Sequence, residues 1–175
     1  MKAITIRILT PDDWQPLLAF ERRNRSWFEQ HIEPRGEAFY SEQGIQQHIA
    51  SYLADHAAGR WFPGLVLDAA GAIIGRTNLK DMDVQVGVAE LGYRVAQDQV
   101  GHGVATAAVT QMKDIASRQC GLQRLHAVVT EVNLASMRVL EKCGFVNMGT
   151  VQPEPAHWSG MPLVSYQCVL GPSAA

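Results

Sequence analysis

The stretch from Leu91 to Val109, LGYRVAQDQVGHGVATAAV, restricts the possible folds of this chain more than any other. Between Ala89 and Val95 apolar residues alternate with others: Ala89, Leu91, Tyr93 and Val95 on one side, Glu90, Gly92 and Arg94 on the other. A period of two marks a half-buried strand. After Gly103 the period changes: Val104, Ala108, Met112 and Ile115 fall at helical spacing, and Ala105 and Val109 widen the same face. A strand therefore runs through a turn carrying Gly101 and Gly103 straight into a helix. The first N–H groups of such a helix lack intrahelical acceptors. With the positive end of the helix dipole, they form a site for a phosphate or pyrophosphate.

Three kinds of nucleotide site use this device, and a plain tight strand–helix connection uses it too. A P-loop needs Lys and then Ser or Thr after its last glycine, where this chain has Val104 and Ala105. A dinucleotide fingerprint needs a third glycine, where this chain has Thr106. The third kind is the acyl-CoA pyrophosphate loop of the Gcn5-related N-acetyltransferases (GNAT), which this stretch resembles. That loop reads Arg or Gln, two residues, Gly, one residue, Gly or Ala. It falls here on Val100, Gly101, His102, Gly103, Val104 and Ala105, with Val100 in place of the Arg or Gln. Because backbone N–H groups do most of the holding, that departure weakens the site without removing it.

Composition narrows the alternatives. At 175 residues the chain suits one domain, taken as 1–171 with a frayed tail at 172–175. A hydrophobic fraction of 47% is too high for disorder. A net charge of −2 and a pI near 6.3 argue against nucleic-acid binding. There is no basic run to favour a membrane surface, and no stretch is apolar enough to cross a bilayer. Cys120, Cys143 and Cys168 are isolated, as reduced thiols of a cytoplasmic protein would be. The histidines show no metal-ligand pairing, so no metal is expected.

Along the chain, Ile4, Ile6 and Ile8 alternate as a first strand. Thr10-Pro11-Asp12-Asp13 reads as a helix start, with Trp14, Leu17 and Leu18 on its inner face. Residues 24–36 read as an irregular aromatic loop, and Ser41 starts a second helix through Ile45, Ile49, Tyr52 and Leu53. Strands follow over 61–68 and 72–79, the first irregular at Pro63. After the glycine turn and its helix come a strand at Leu125, Ala127 and Val129 and a helix capped by Asn133, with Leu134, Met137 and Leu140 inward and Gly144 at its end. Strands over 145–151 and 163–170 complete the chain. This order, β, α, α, β, β, β, α, β, α, β, β, gives an α+β fold: a central mixed, mostly antiparallel sheet flanked by helices. It does not alternate as a doubly wound sheet does.

A second signature raises the likeness. Asn133-Leu134-Ala135-Ser136, followed by a short helix ending in Gly144-Phe145, resembles the N-x-x-S…G-F element of the same family. Many members carry a Tyr in this helix to protonate the departing thiolate, but here the position is Leu140. Leu140, Ser136, the Glu90-Leu91-Gly92-Tyr93 strand and the aromatic loop with Pro34 and Arg35 together resemble the RimJ/RimL branch. That branch acetylates ribosomal-protein α-amines.

The resemblance implies acetyl-CoA as cosubstrate and an amine as acceptor. It places the pantetheine arm between the strand 90–96 and the strand 125–129, held by the backbone of Tyr93, Arg94 and Val95 and by Asn133. The pyrophosphate falls to Val100, Gly101, His102, Gly103, Val104, Ala105 and Thr106. Ser136 is the candidate proton donor to sulfur, and Glu90 the first candidate base, ahead of His126 and Glu131. Trp27, Phe28 and Arg35 are candidates for shaping the acceptor pocket, and homodimers are common among relatives. Two other readings stay open, a small-molecule amine acetyltransferase and a non-catalytic CoA-binding module. Acceptor choice would lie in loops 24–40 and 151–162, whose composition names no substrate.

Overall fold

The computed structural model describes residues 3–151 and 162–171. One sheet has the order β1-β2-β3-β4-β5-β7-β6. Its strands are β1 (Thr5–Ile8), β2 (Phe62–Leu67), β3 (Ile73–Asp83), β4 (Val88–Val95), β5 (Arg124–Thr130), β6 (Val146–Val151) and β7 (Leu163–Val169). All neighbours are antiparallel except β4 and β5. Helices α1 (Trp14–Phe28) and α3 (Glu42–Ala57) cover one face. There Leu17, Phe20, Ile45 and Ile49 pack on Leu65 and Ile73. Helices α4 (Val104–Arg118) and α5 (Leu134–Lys142) cover the other, where Val109, Met112 and Leu140 pack on Leu79, Leu91 and Leu125. A short helix, α2 (Gly36–Phe39), joins α1 to α3.

Local chemistry explains the boundaries. Ser41 Oγ accepts the Gly44 N–H at 3.0 Å and starts α3, and Asn133 Oδ1 accepts the Ser136 N–H at 3.1 Å and starts α5. Thr10 opens a 3-10 turn, Pro11–Asp13, before α1 begins at Trp14. The Asp13 carboxylate takes the Thr10 N–H and both arms of Arg7, tying β1 to α1.

Two sequence expectations need correction. Residues 24–28 are not loop but the last turns of α1. Asn24 Nδ2 donates back to Phe20 O, Arg25 pairs with Glu29 one turn on, and Phe28 stacks beside Phe20 in the core. Leu134, expected inward, is exposed in the first turn of α5, because the inner face of that helix passes through Met137 and Leu140. The C-terminal tail and most of loop 151–162 lie outside the described residues.

The sheet opens where it matters. β4 and β5 pair only at Val88↔Arg124, Ala89↔Leu125 and Glu90↔His126. Beyond that, β4 stays with β3 as far as Val95↔Gly75, and β5 stays with β7 as far as Thr130↔Leu163. From Leu91 and Ala127 onward the two strands part, leaving a backbone edge on each without a strand partner among the described residues.

Candidate active site

A cavity of about 420 Å³ passes through the sheet at this gap. The pleat of β4 divides its walls. Leu91 and Tyr93 point toward α4 and α5, while Glu90 and Arg94 point toward α1 and α3, with Gly92 between them on the second side. On β3 the cross-strand partners of those three are Lys80, Asn78 and Arg76. A register break opposite Val66 and Leu67 turns Arg76 onto the same side as Ile73, despite the odd spacing between them.

At the gap's end, β4 passes through a 3-10 turn into the glycine turn. Gly101 and Gly103 have φ of +80° and +76°, in the left-handed region that only glycine enters without strain. A Cβ at either would meet nothing within 4 Å, so the turn faces open space. The first bond of α4 runs from Ala107 N–H to Gly103 O, which leaves the N–H groups of Val104, Ala105 and Thr106 ahead of it. This cradle fits a pyrophosphate. His102 is exposed, and Val100, where the family carries Arg or Gln, is 41% exposed. α1 braces the approach: Asn24 Oδ1 accepts the Gln97 N–H at 3.0 Å, and Trp27 Nε1–H donates to Val95 O at 3.3 Å.

On the α5 side, the Tyr93 and Ser136 hydroxyls lie 2.7 Å apart, and the phenol also donates to Ser136 O at 3.1 Å. Burial pushes the phenol's pKa well above its ordinary value, although the Ser136 hydrogen bond opposes the shift. Leu140 is fully buried in the core. A phenol reaches this helix from β4 instead, on Tyr93. Sequence reasoning assigned Tyr93 only a backbone role. Its side-chain role was legible at most as an aromatic alternating toward α5.

On the α1 side the wall is charged. Glu21, from α1, accepts from Arg76 at 2.9 Å and from Arg94, both through Oε1. Desolvation works against its ionisation, but Arg94 and Arg76 win and hold its pKa below the ordinary value. Burial lowers the Arg94 pKa to about 10. His48 Nε2 lies 3.1 Å from Arg76 Nη2, and burial with that neighbouring charge drops the imidazole to about 2, so it is neutral and accepts. Glu90 pairs with Lys80 at 2.6 Å.

Among the expected acceptor residues, Arg35 lines the cavity mouth. Trp27 and Phe28 stand outside the lining: one braces β4, and the other is buried beneath the Arg94 guanidinium. Asn133 caps α5 beside Ser136. The sequence reading missed Glu21, Arg76, Asn78 and Lys80. The available signal was the polar alternation of Arg76, Asn78 and Lys80 in a strand whose two faces are both covered by helices.

Comparison with known proteins decides the family. The Acetyltransferase (GNAT) domain matches residues 3–146. The chain belongs to the GNAT acetyltransferase family. Among curated relatives, "Probable N-acetyltransferase YjcK" of Bacillus subtilis (strain 168) is 31% identical over 150 residues, covering 85% of this chain and 83% of the relative. Among solved structures, the ribosomal-protein-S5-alanine acetyltransferase from Vibrio fischeri superposes with a TM-score of 0.88 at 20% identity, covering 100% of this chain and 97% of that one. RimL, a ribosomal L7/L12 alpha-N-protein acetyltransferase solved with coenzyme A, gives 0.86 at 16% identity, covering 97% and 96%. This GNAT enzyme is thus an acetyl-CoA-dependent acetyltransferase, on a fold whose solved neighbours include ribosomal-protein acetyltransferases. No helix among the described residues is long and apolar enough to cross a membrane.

Proposed function

We propose that this acetyltransferase modifies the α-amine of a protein N-terminus in the cytoplasm, by direct attack within a ternary complex. The observation that carries this reading is the gap between β4 and β5, which joins two unlike walls in one cavity. Bound acetyl-CoA supplies the thioester. Gly101, His102, Gly103, Val104, Ala105 and Thr106 hold the pyrophosphate, with Val100 leading into the turn, and the main chain of Tyr93, Arg94 and Val95 holds the arm beside Asn133. A main-chain N–H at the open edge of β4 stabilises the oxygen that gains charge. Glu90 positions the amine through the edge of its Lys80 ion pair. The C–S bond would break as the N–C bond forms, and the surplus proton on nitrogen would pass to water. The Ser136 hydroxyl, backed by the Tyr93 phenol, would give a proton to the departing sulfur and regain one from solvent.

The charge of the acceptor wall favours an α-amine. Nearby guanidinium groups disfavour a second positive charge and so promote the neutral, nucleophilic form of the amine. An α-amine, with a reference pKa near 8, loses its proton there far more readily than a lysine near 10.4. The names of the ribosomal-protein neighbours support the same choice. The test uses peptides with a free N-terminus and an internal lysine, analysed by mass spectrometry after incubation with acetyl-CoA. Acetylation at the N-terminus supports the reading, and acetylation confined to lysine overturns it.

A further inference from the structure

The charged wall holds an imbalance that the transfer reaction does not use. Arg76 and Arg94 stand directly opposite each other on β3 and β4, an arrangement that costs stability between like charges. Their side chains are 2% and 13% exposed, yet they share a single oxygen of one carboxylate, Glu21 Oε1. Among the described residues Glu21 Oε2 has no hydrogen-bond partner, and neither does Arg76 Nε. His48, which is neutral, adds no negative charge. Lys80 is matched by Glu90, so the pair offers nothing to the guanidinium groups. Two buried cations therefore face one anion, and Arg35 adds a further cation at the mouth beside the exposed Glu33. A buried charge without a counter-ion is strongly disfavoured.

The space beside this excess is open. Gly92 lies opposite Asn78, and a Cβ there would meet nothing within 4 Å. Asn78 Oδ1 also has no hydrogen-bond partner among the described residues. An ammonium entering alone would meet repulsion, whereas an amine that brings its own anion would not.

We propose that Arg76, Arg94 and Arg35 form a carboxylate subsite that selects acceptors with Asp or Glu at the first or second position. Gly92 lies two residues along β4 from Arg94, a span of about 7 Å. That matches the reach from an N-terminal nitrogen to the side-chain carboxylate of the first two residues. This inference rests on the N-terminal reading above and specifies its substrate class.

The experiment compares peptides identical except for Ala-Glu, Glu-Ala, Ala-Gln and Ala-Lys at their N-termini, with free glutamate as a further acceptor. The expected kcat/KM for the acidic peptides exceeds that of Ala-Gln by about tenfold or more, with Ala-Lys poorest. Arg94→Gln and the exposed-site variant Arg35→Gln each shrink the Glu-to-Gln ratio, whereas a merely structural role would slow both peptides equally. Calorimetry of the N-acetylated Ala-Glu and Ala-Gln peptides on the CoA-loaded enzyme reads the subsite without turnover. Equal Kd values and equal kcat/KM overturn the subsite and leave the N-terminal reading standing. Acetylation of free glutamate with every peptide inert supports the subsite and overturns the N-terminal reading.

Discussion

The two walls of the cavity solve different problems with different materials. Toward α4 and α5 the surface is built from neutral groups, the open backbone edge of β4 and the Tyr93–Ser136 hydroxyl pair, with the N–H groups at the start of α4 beyond the cavity's end. Toward α1 and α3 it is built from ions: Arg76 and Arg94, with Glu21 buried behind them and Lys80 and Glu90 farther along. The first wall offers oriented dipoles and, among the described residues, no charged side chain. The second wall gives up stability by burying unbalanced charge.

Breaking the charged wall should have the largest effect. Glu21→Gln removes the shared counter-ion and leaves two guanidinium groups buried, so chemical denaturation should report a loss of about 3–5 kcal/mol. Adding Arg94→Met to that variant should recover part of the loss. If Glu21→Gln changes stability by less than 1 kcal/mol, the wall is wetter than its burial implies.

Breaking the neutral wall should spare the fold and lose the cofactor. Gly103→Trp sends its side chain into the open space in front of the α4 N-terminus, so affinity for acetyl-CoA should fall about a hundredfold or more, near 2.7 kcal/mol. The left-handed backbone at that position costs a further 1–2 kcal/mol, roughly, in stability. Unchanged affinity by calorimetry would falsify the assignment of the turn. Next in size, Tyr93→Phe and Ser136→Ala should each lower kcat by about 10²-fold with little change in KM for acetyl-CoA. The double variant should be little worse than either alone, because the two hydroxyls act as a unit.

The smallest effect sharpens the comparison through pH. His48 is neutral in the fold, with its pKa lowered to about 2, and binds a proton in the unfolded chain near 6.5. Between those values the unfolded state holds more protons, so stability is complete above pH 6.5 and declines as the pH falls. Denaturation at pH 7.5 and 5.5 should differ by about 1 kcal/mol from this group, and His48→Gln should flatten that part of the slope.

Much of the fold was legible because period and punctuation are local. The switch from period two to helical spacing across Gly101 and Gly103, the Asn133 and Ser41 caps, and the strand alternations each depend on neighbours within a few residues. The end of α1 was not legible. Asn24, Trp27 and Phe28 read as an aromatic loop, yet their helical state is stabilised by contacts far along the chain, to Gln97, Val95 and Arg94. Ser136 could be singled out by its motif, but its partnership with Tyr93 spans 43 residues.

The sequence by itself determined the family, the glycine turn and the order of elements, because each is encoded in short-range spacing and in the conformational freedom of glycine. Only the tertiary structure decided which charges gather on the α1 side of the cavity. Glu21, Arg76 and Arg94 come from α1, β3 and β4, and nothing in their local context distinguishes them from solvated surface charges. Burial couples them into one cluster, and burial exists only once α1 has closed over the sheet.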